Sequence, residues 1–497
     1  MSSRARASAP PPFYEARCSP EPERRLLLIS YAFPPEPSVG SLRWEKMSRF
    51  ASERGWGLDV ITVDPADIPA PDYRRLKELP PGVRLYGVPA PRLAFKTLER
   101  SALALVRSFR GNSRSLATAT EKPAGAATAD LRPASLVRDG IRWTIGRPRD
   151  YRRAYHALSN YAFYGRWARD AAELALSVIE SGVHQAVVTS APPHMAHEAG
   201  RRVSHATGLP FVMDMRDPWR LVEVVSEDVA SPVWLWLATR YEQKAVRQAS
   251  LIVANTEPCR QAMARTYPES AGKIIAVMNG YDDEPLPPAR HSGRFTIAYA
   301  GGLYWGRDPR PLFAATARVV RDLGLTPEQL GLDIIGHVEG EGGVSLSEIA
   351  RAEGVTDYVR AGPPRPRKEA LEFLAQATML VNFDVAENNL VIAAKVFEYM
   401  RFEAWLLLLT RPGSAPDLLL RDSGADVVRP DDVDGIETVL RKRYEMHRRG
   451  LRPTPIARNG RFSRRHQAGI LLDAIEKITG EPDRHSVAPE LEAARRL

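Results

Sequence analysis

Two short stretches near the start of the chain hold residues whose type and spacing suit chemistry. In "LLLISYAFPPEPSVGSLRWEKMSRF", an apolar run from Leu26 meets Pro34, Pro35 and Pro37, and a helical pattern resumes only at Gly40, with Arg43 three residues on. Prolines fix φ and end the strand, while glycine leaves the backbone uncovered. A bare turn between the carboxyl end of a strand and a helix aims unpaired N–H groups outward, an arrangement that receives anions. In "SAPPHMAHEAG", His194 and His197 are three apart and share a helical face. Two imidazoles without a carboxylate pair at ligand spacing do not make a metal site, so no metal and no cofactor is expected. The chain lacks G-x-G-x-x-G after its first strand, and it lacks a Walker loop, H-E-x-x-H and paired C-x-x-C. Dinucleotide-dependent and P-loop chemistry are disfavoured accordingly.

The elements that must position these residues are legible as apolar runs. "LLLIS" at Leu26, "LDVITV" at Leu58, "AVVTS" at Ala186, "PFVMD" at Pro210, "LIVAN" at Leu251 and "IIAVMN" at Ile274 alternate with helical patterns. Near-continuous apolar strands of this kind argue a parallel sheet covered on both faces. A proline-rich break, "PLPPARHSG", precedes a second series: "FTIAYAGG" at Phe295, "LDIIG" at Leu332, "TMLVNFD" at Thr378 and "LLLLT" at Leu406. The expected organisation is two Rossmann-like α/β domains, 25–285 and 294–460, joined by a linker at 286–293 and facing each other across a cleft. Residues 1–24 and 480–497 read as tails too polar to bury a core. Residues 93–140 read as a mobile basic loop, and the segment 93–110 is amphipathic, with Arg107 and Arg110 beside an apolar face suited to an anionic membrane surface.

A formal net charge of +9 favours anionic partners, although no nucleic-acid module or aromatic platform accompanies it, and nucleic acid is not expected as a partner. Two cysteines, Cys18 and Cys259, exclude a disulfide framework and a Cys-based metal site and suit a reducing cytosol. The first residues contain no apolar core of a signal peptide, and no apolar run reaches the ~18 residues a membrane span needs.

Seven stretches, "FPPEPSVGSLRWEKM", "VVTSAPPHMAHEAG", "FVMDMRDPW", "LIVANTEP", "VMNGYD", "IAYAGGLYWGRDP" and "AAKVFEYM", resemble in order and position those of GT-B glycosyltransferases. The similarity is to the family-four clan of retaining enzymes, in its bacterial branch with a D-x-R-D-x-W element, and it runs from about Arg25 to Ile478. It implies a GT-B fold and transfer of a sugar from a nucleoside-diphosphate donor to an acceptor, lipid-linked ones among the candidates, in cell-surface polysaccharide, glycolipid or related synthesis. It further implies a cytosolic enzyme with a peripheral membrane position, and a last helix, 461–479, packed back on the first domain.

The resemblance places the donor on the second domain. Gly302 stands where the family has an arginine, and Arg307 where it has a phosphate-gripping lysine. Glu398 falls at the ribose-binding acid, and Lys395 lies one turn earlier on the same helical side. Departures are Leu390 in place of a second acid, and Glu403 and Trp405 in place of a glycine and a proline. On the first domain, Gly40 and Arg43 are implied to face donor phosphate and acceptor. His194 approximates a cleft histidine, and Asp217 in "DMRDPW" is the acceptor-side and catalytic candidate, alongside Arg307 and Lys395. Asp214 reads as part of an internal ion-pair network. The rival readings are a GT-B-shaped binding or scaffold protein and a sugar-nucleotide epimerase.

Overall fold

The computed structural model describes residues 10–92, 131–133, 148–290, 292–303, 306–338, 344–384 and 389–480. The amphipathic segment 93–110, most of the loop to 140, residues 1–9 and the tail from 481 lie outside the described residues.

The first domain is built on strands β1 (Tyr14–Glu15), β2 (Arg24–Ser30), β3 (Trp56–Val63), β4 (Val83–Val88), β6 (His184–Ala191), β7 (Phe211–Met215), β9 (Leu251–Ala254) and β10 (Ile274–Ala276). They form one sheet in the order β1-β4-β3-β2-β6-β7-β9-β10, parallel except where β1 meets β4. A small antiparallel pair, β5 (Leu131–Pro133) with β8 (Val224–Ser226), stands apart. The apolar run of β2 is buried on both faces, as a doubly covered strand must be. Leu26 and Leu28 pack on one side with Trp44 and Met47, and Leu27 and Ile29 on the other with Trp167 and Phe211. The period of two is the pleat itself.

The second sheet, β11 (Phe295–Ala300), β12 (Leu330–Ile335), β13 (Val359–Gly362), β14 (Met379–Phe383), β15 (Trp405–Leu409) and β16 (Asp426–Val428), is wholly parallel in the order β13-β12-β11-β14-β15-β16. Leaving aside the edge strand β1 and the separate pair, both sheets run third, second, first, fourth, fifth, sixth in chain order, and the first adds β10 as a seventh. That is the doubly wound arrangement, and it reverses between β2 and β6 and again between β11 and β14.

The chain returns to its first domain at the end. Gly280, at φ +66°, lets the backbone pass close to Phe462 and Arg464, where a Cβ would lie 2.8 Å from the Phe462 carbonyl oxygen. The helix Arg464–Thr479 then buries Ala468, Leu471, Leu472 and Ile475 among Leu26, Leu28 and Trp44. Full burial of such a leucine or isoleucine contributes roughly 1.5–3 kcal/mol. Arg54 with Asp473, Arg465 with Glu53, and the Trp56 indole with Glu476 fix its rotation.

The expected tail 1–24 is too long. Tyr14–Glu15 pairs with β4, Tyr14 donates to the Leu76 carbonyl at 2.6 Å, and Tyr14 and Ala16 lean on the first core. The polar, proline-rich composition masked these two apolar anchors, which cover the exposed edge of β4.

Candidate functional site

Loops leaving the carboxyl ends of the strands at the two reversal points form the crevice in which doubly wound sheets hold ligands. On the second domain these ends are Ala300, followed by Gly301 and Gly302, and Phe383, followed across the loop by Lys395 on the short helix Ala394–Tyr399. Lys395 Nζ lies 2.7 Å from the Tyr299 hydroxyl and 4.2 Å from the Tyr299 ring centroid. The hydroxyl in turn donates to the Gly302 carbonyl at 2.8 Å. Gly301, at φ +149°, is required here, because a Cβ on it would lie 2.2 Å from Lys395 Nζ. Protein atoms close on the amine from most sides although the residue keeps partial solvent contact. Burial, aided by the positive charge of nearby Arg307, brings the Lys395 pKa down to about 7. Arg307, Lys395 and Gly302 are thus drawn together by the strand-end turn of β11. Two cations meet there, Lys395 and Arg307. That is an electrostatic setting for a multiply charged anion.

Glu398 lies one turn further along the same helix, and its Oε1 accepts from Arg367 Nη2 at 2.7 Å. Arg367 also bonds Glu284, just before the linker, and approaches Asp282, which is held by Arg464 at 2.6 Å. Glu398 therefore enters a charged cluster at the hinge, and a ribose hydroxyl there would have to share its carboxylate with Arg367. A cavity of about 650 Å³ opens at that cluster, lined by Glu284 and Arg367 together with Pro285, Leu286, Arg290 and Leu371.

On the first domain the bare turn has another occupant. Gly40 lies in the first turn of the helix Val39–Glu53, and a Cβ on it would lie 2.8 Å from Arg216 Nη1. Arg216 donates to the carbonyls of Gly40 and Pro192, tying together the loops after β2, β6 and β7. Gly40 is bare for a neighbouring side chain. Arg43, expected at the phosphate side, is buried too. Its Nε and Nη2 bond both oxygens of Asp214 at 2.9 and 3.0 Å, with Nη1 on Asn279 and Nη2 on the Val277 carbonyl. The Trp44 indole also donates to Asp214, at 2.7 Å. The helical phase explains the difference, since the same face of this helix that carries Trp44 and Met47 into the core carries Arg43 to the buried Asp214.

His194 stacks on Trp219, with ring centroids 5.1 Å apart, and its Nε2 donates to the Asp217 carbonyl at 3.1 Å. Burial, against partial relief from that carbonyl, pushes its pKa down to about 4, so the ring is neutral near pH 7. Asp217 is half-buried in the same loop, and burial raises its carboxyl pKa against the opposing pull of Arg216. His194 and Asp217 thus share one loop cluster at the end of β6 and β7, whereas Gly40 and Arg43 serve its scaffold. His197 turns inward to Thr189 at 2.7 Å. Among the described residues no group of three or more His, Cys, Asp or Glu side chains is placed to hold a metal ion.

The two domains touch through Leu390 and through Glu223, Thr256 and Asn389, which the sequence did not single out. Glu223 of the first domain accepts from the Asn389 backbone N–H, from Asn389 Nδ2 at 2.8 Å and from the Leu390 N–H at 3.1 Å. Thr256 Oγ1 donates to the Leu390 carbonyl at 2.5 Å. The Leu390 side chain packs against the first domain's core, which gives a physical reason for leucine where an acid was expected. Trp405 and Glu403 are similarly structural: the former is a buried strand residue near Phe295, the latter an exposed turn residue. Glu223 carries no local sequence signal, because its partners are about 166 residues away. Tyr299 and Arg216 stood inside quoted stretches, yet only the fold shows what they touch.

No protein-family model matches the chain. Over 256 residues, 47% of the chain, it is 26% identical to a D-inositol 3-phosphate glycosyltransferase of Nocardiopsis dassonvillei, spanning 59% of that protein. Over 205 residues, 38% of the chain, it is 24% identical to the protein of the same name from Thermobifida fusca, spanning 46% of it. The chain thus matches about half the length of these relatives. Among solved structures, sucrose-phosphate synthase from Thermosynechococcus elongatus aligns with a TM-score of 0.55 at 12% identity, over 92% of this chain and 99% of that one. A UDP-forming α,α-trehalose-phosphate synthase from Burkholderia xenovorans aligns with a TM-score of 0.56 at 13% identity, over 92% and 100%. These likenesses, with the two parallel sheets, establish the GT-B fold.

Proposed function

We propose that the chain is a glycosyltransferase that takes its sugar from a nucleoside-diphosphate donor. The observation that carries this reading is the meeting of Lys395 and Arg307 at a glycine-bare strand end, at the reversal point of the second sheet. As the glycosidic bond breaks, the leaving diphosphate gains charge, and cations fixed beforehand stabilise it without reorganising. Gly302 leaves the backbone open to the phosphates, and Glu398 takes the ribose by displacing or sharing its bond to Arg367. The acceptor enters against the loop of His194 and Asp217. His194, with its pKa brought down to about 4, makes a weak base, so the reaction draws its rate chiefly from leaving-group stabilisation and positioning. That fits a retaining, metal-independent transfer. The names of the inositol-phosphate glycosyltransferase relatives support the reaction class and leave the acceptor open.

The test is calorimetric titration with a nucleoside diphosphate, followed by donor hydrolysis. Arg307→Ala is expected to reduce turnover more than binding, because its charge matters most as the leaving group departs. Unchanged binding and unchanged hydrolysis in this variant would remove the assignment. Binding without any hydrolysis in the parent would favour a scaffold, a reading to which Leu390's packing role gives some support.

A further inference from the structure

We propose that the groove between residues 284–290 and the helix Arg367–Leu374 is a binding site for a sugar phosphate, whose occupant acts on donor binding through Arg367. The cavity there, about 650 Å³, falls within the roughly 300–1,000 Å³ of small-molecule sites. Its lining includes none of Gly302, Arg307 and Lys395. One wall is the chain entering the linker, with Pro285 and Leu286. It is tied down at both ends, where Arg401 donates to the Glu284 carbonyl and the Arg290 N–H donates to the Ala375 carbonyl at 3.1 Å. The other wall is one helix face, on which Arg367 and Leu371, and Lys368, Glu372 and Gln376, follow at intervals of four.

The chemistry of the walls selects the ligand. Lys368 lies in the first turn of the helix and Arg290 is tied to Ala375 just past its last, so cations stand at both ends of the groove. Both are exposed and have no side-chain partner among the described residues. Arg367 places Nε and Nη2 on Glu284 and Glu398, while its Nη1 bonds nothing among the described residues. A phosphate takes several such charge-assisted bonds at once. Of the two carboxylates in the lining, Glu284 is held by Arg367, which leaves Glu372. Glu372 and Gln376, both exposed on the same side of the helix, offer partners to hydroxyl groups, and Pro285, Leu286 and Leu371 offer an apolar face to the C–H side of a sugar ring. Arg367 is also the link to the donor. Its Nη2 bonds Glu398 Oε1 at 2.7 Å, so a phosphate that draws the guanidinium away frees that carboxylate for ribose hydroxyls. Groove and donor site then favour each other by the same factor in both directions. This relay rests on the glycosyltransferase reading; binding in the groove does not.

The experiment is calorimetric titration of the full chain with glucose 1-phosphate and glucose 6-phosphate, with glucose and inorganic phosphate as controls, followed by uridine and guanosine diphosphates. At least one ester is expected to bind about tenfold or more tighter than either control, since only it uses both the cations and the hydroxyl partners. Arg290→Gln with Lys368→Gln is expected to weaken the ester about tenfold or more and to leave diphosphate affinity and thermal unfolding unchanged. Saturating ester is expected to tighten diphosphate binding about fivefold or more. Arg367→Ala is expected to tighten the diphosphate by itself and to abolish that effect. No ester binding overturns the proposal, as does binding no tighter than that of inorganic phosphate, or parent-like ester binding by the double variant. Competition between ester and diphosphate overturns it by placing the ester in the donor cleft. Independent binding of the two overturns the relay and leaves the groove. If neither diphosphate binds the parent, the donor reading fails and the relay with it, while the groove stands or falls on the ester.

Discussion

If Lys395 grips a diphosphate, donor binding must carry a proton. In the unliganded protein burial and Arg307 hold its pKa at about 7, so at about pH 9 roughly 99% of the molecules have a neutral amine. A bound diphosphate restores the charge, and the protein then takes up about one proton per donor at pH 9 but only about a tenth of one at pH 6. The cost appears in affinity as a factor of 1 + 10^(pH − pKa). Between about pH 7.5 and pH 9, where the diphosphate's own charge is nearly constant, the dissociation constant should therefore rise about twentyfold. Calorimetry in two buffers of different ionisation enthalpy measures the proton directly. Lys395→Met should bind more weakly at pH 7.5 and lose both the slope and the proton uptake, since Arg307 stays charged throughout. A parent protein whose affinity is flat across this range, with no proton taken up, would refute the reasoning and leave Lys395 a structural partner of Tyr299.

Three further outcomes can be checked. Asp59→Ala leaves the buried Arg25 guanidinium without its carboxylate and is expected to cost about 3–5 kcal/mol in denaturant unfolding. Burial pushes the Asp59 pKa up, but the bonds from His184 and Arg25 outweigh it and leave the pKa below its ordinary value, so its stabilisation is present above the unfolded pKa of ~3.9 and is lost as pH falls through the folded one; acid titrations of parent and Asp59→Asn should accordingly begin to converge only below about pH 4 and meet only below the folded pKa. Gly40→Ala drives a methyl against Arg216 and is expected to destabilise by roughly 1–3 kcal/mol, with the Arg216→Ala, Gly40→Ala pair less damaging than the sum of the singles. Glu223→Ala removes the carboxylate that holds Asn389 and Leu390, and small-angle scattering should then show a wider separation of the domains without loss of secondary structure.

Strand positions were readable because parallel strands buried on both faces are written as unbroken apolar runs. β2, β6, β7, β9, β11, β14 and β15 all coincide with such runs. The missed strands are those without this pattern. In β4 only alternate stretches are buried, and β13 is largely exposed. For the candidate site, the sequence named Gly302, Arg307 and Lys395, and the structure brings these three side by side at one strand end. What escaped was direction. Arg43 and Gly40 occupy the expected turn, yet helical phase points one at Asp214 and packs the other against Arg216. Glu223 escaped because its partners, Asn389 and Leu390, lie about 166 residues further along the chain, beyond the reach of any local pattern.

The last helix has a consequence for how the protein is made. Ala468, Leu471, Leu472 and Ile475 complete a core whose other walls are Leu26, Leu28, Trp44 and Met47. A ribosome delivers those walls first and then must synthesise the whole second domain before the missing side arrives. At about 5–20 residues per second that wait lasts roughly 10–40 seconds, during which the early domain carries an open apolar face. The second domain, contiguous in sequence, closes its own core as it emerges. The nascent chain is thus expected to finish its later half before its earlier one, and ribosome-bound chains stopped just before Arg464 should be the species that a chaperone holds longest.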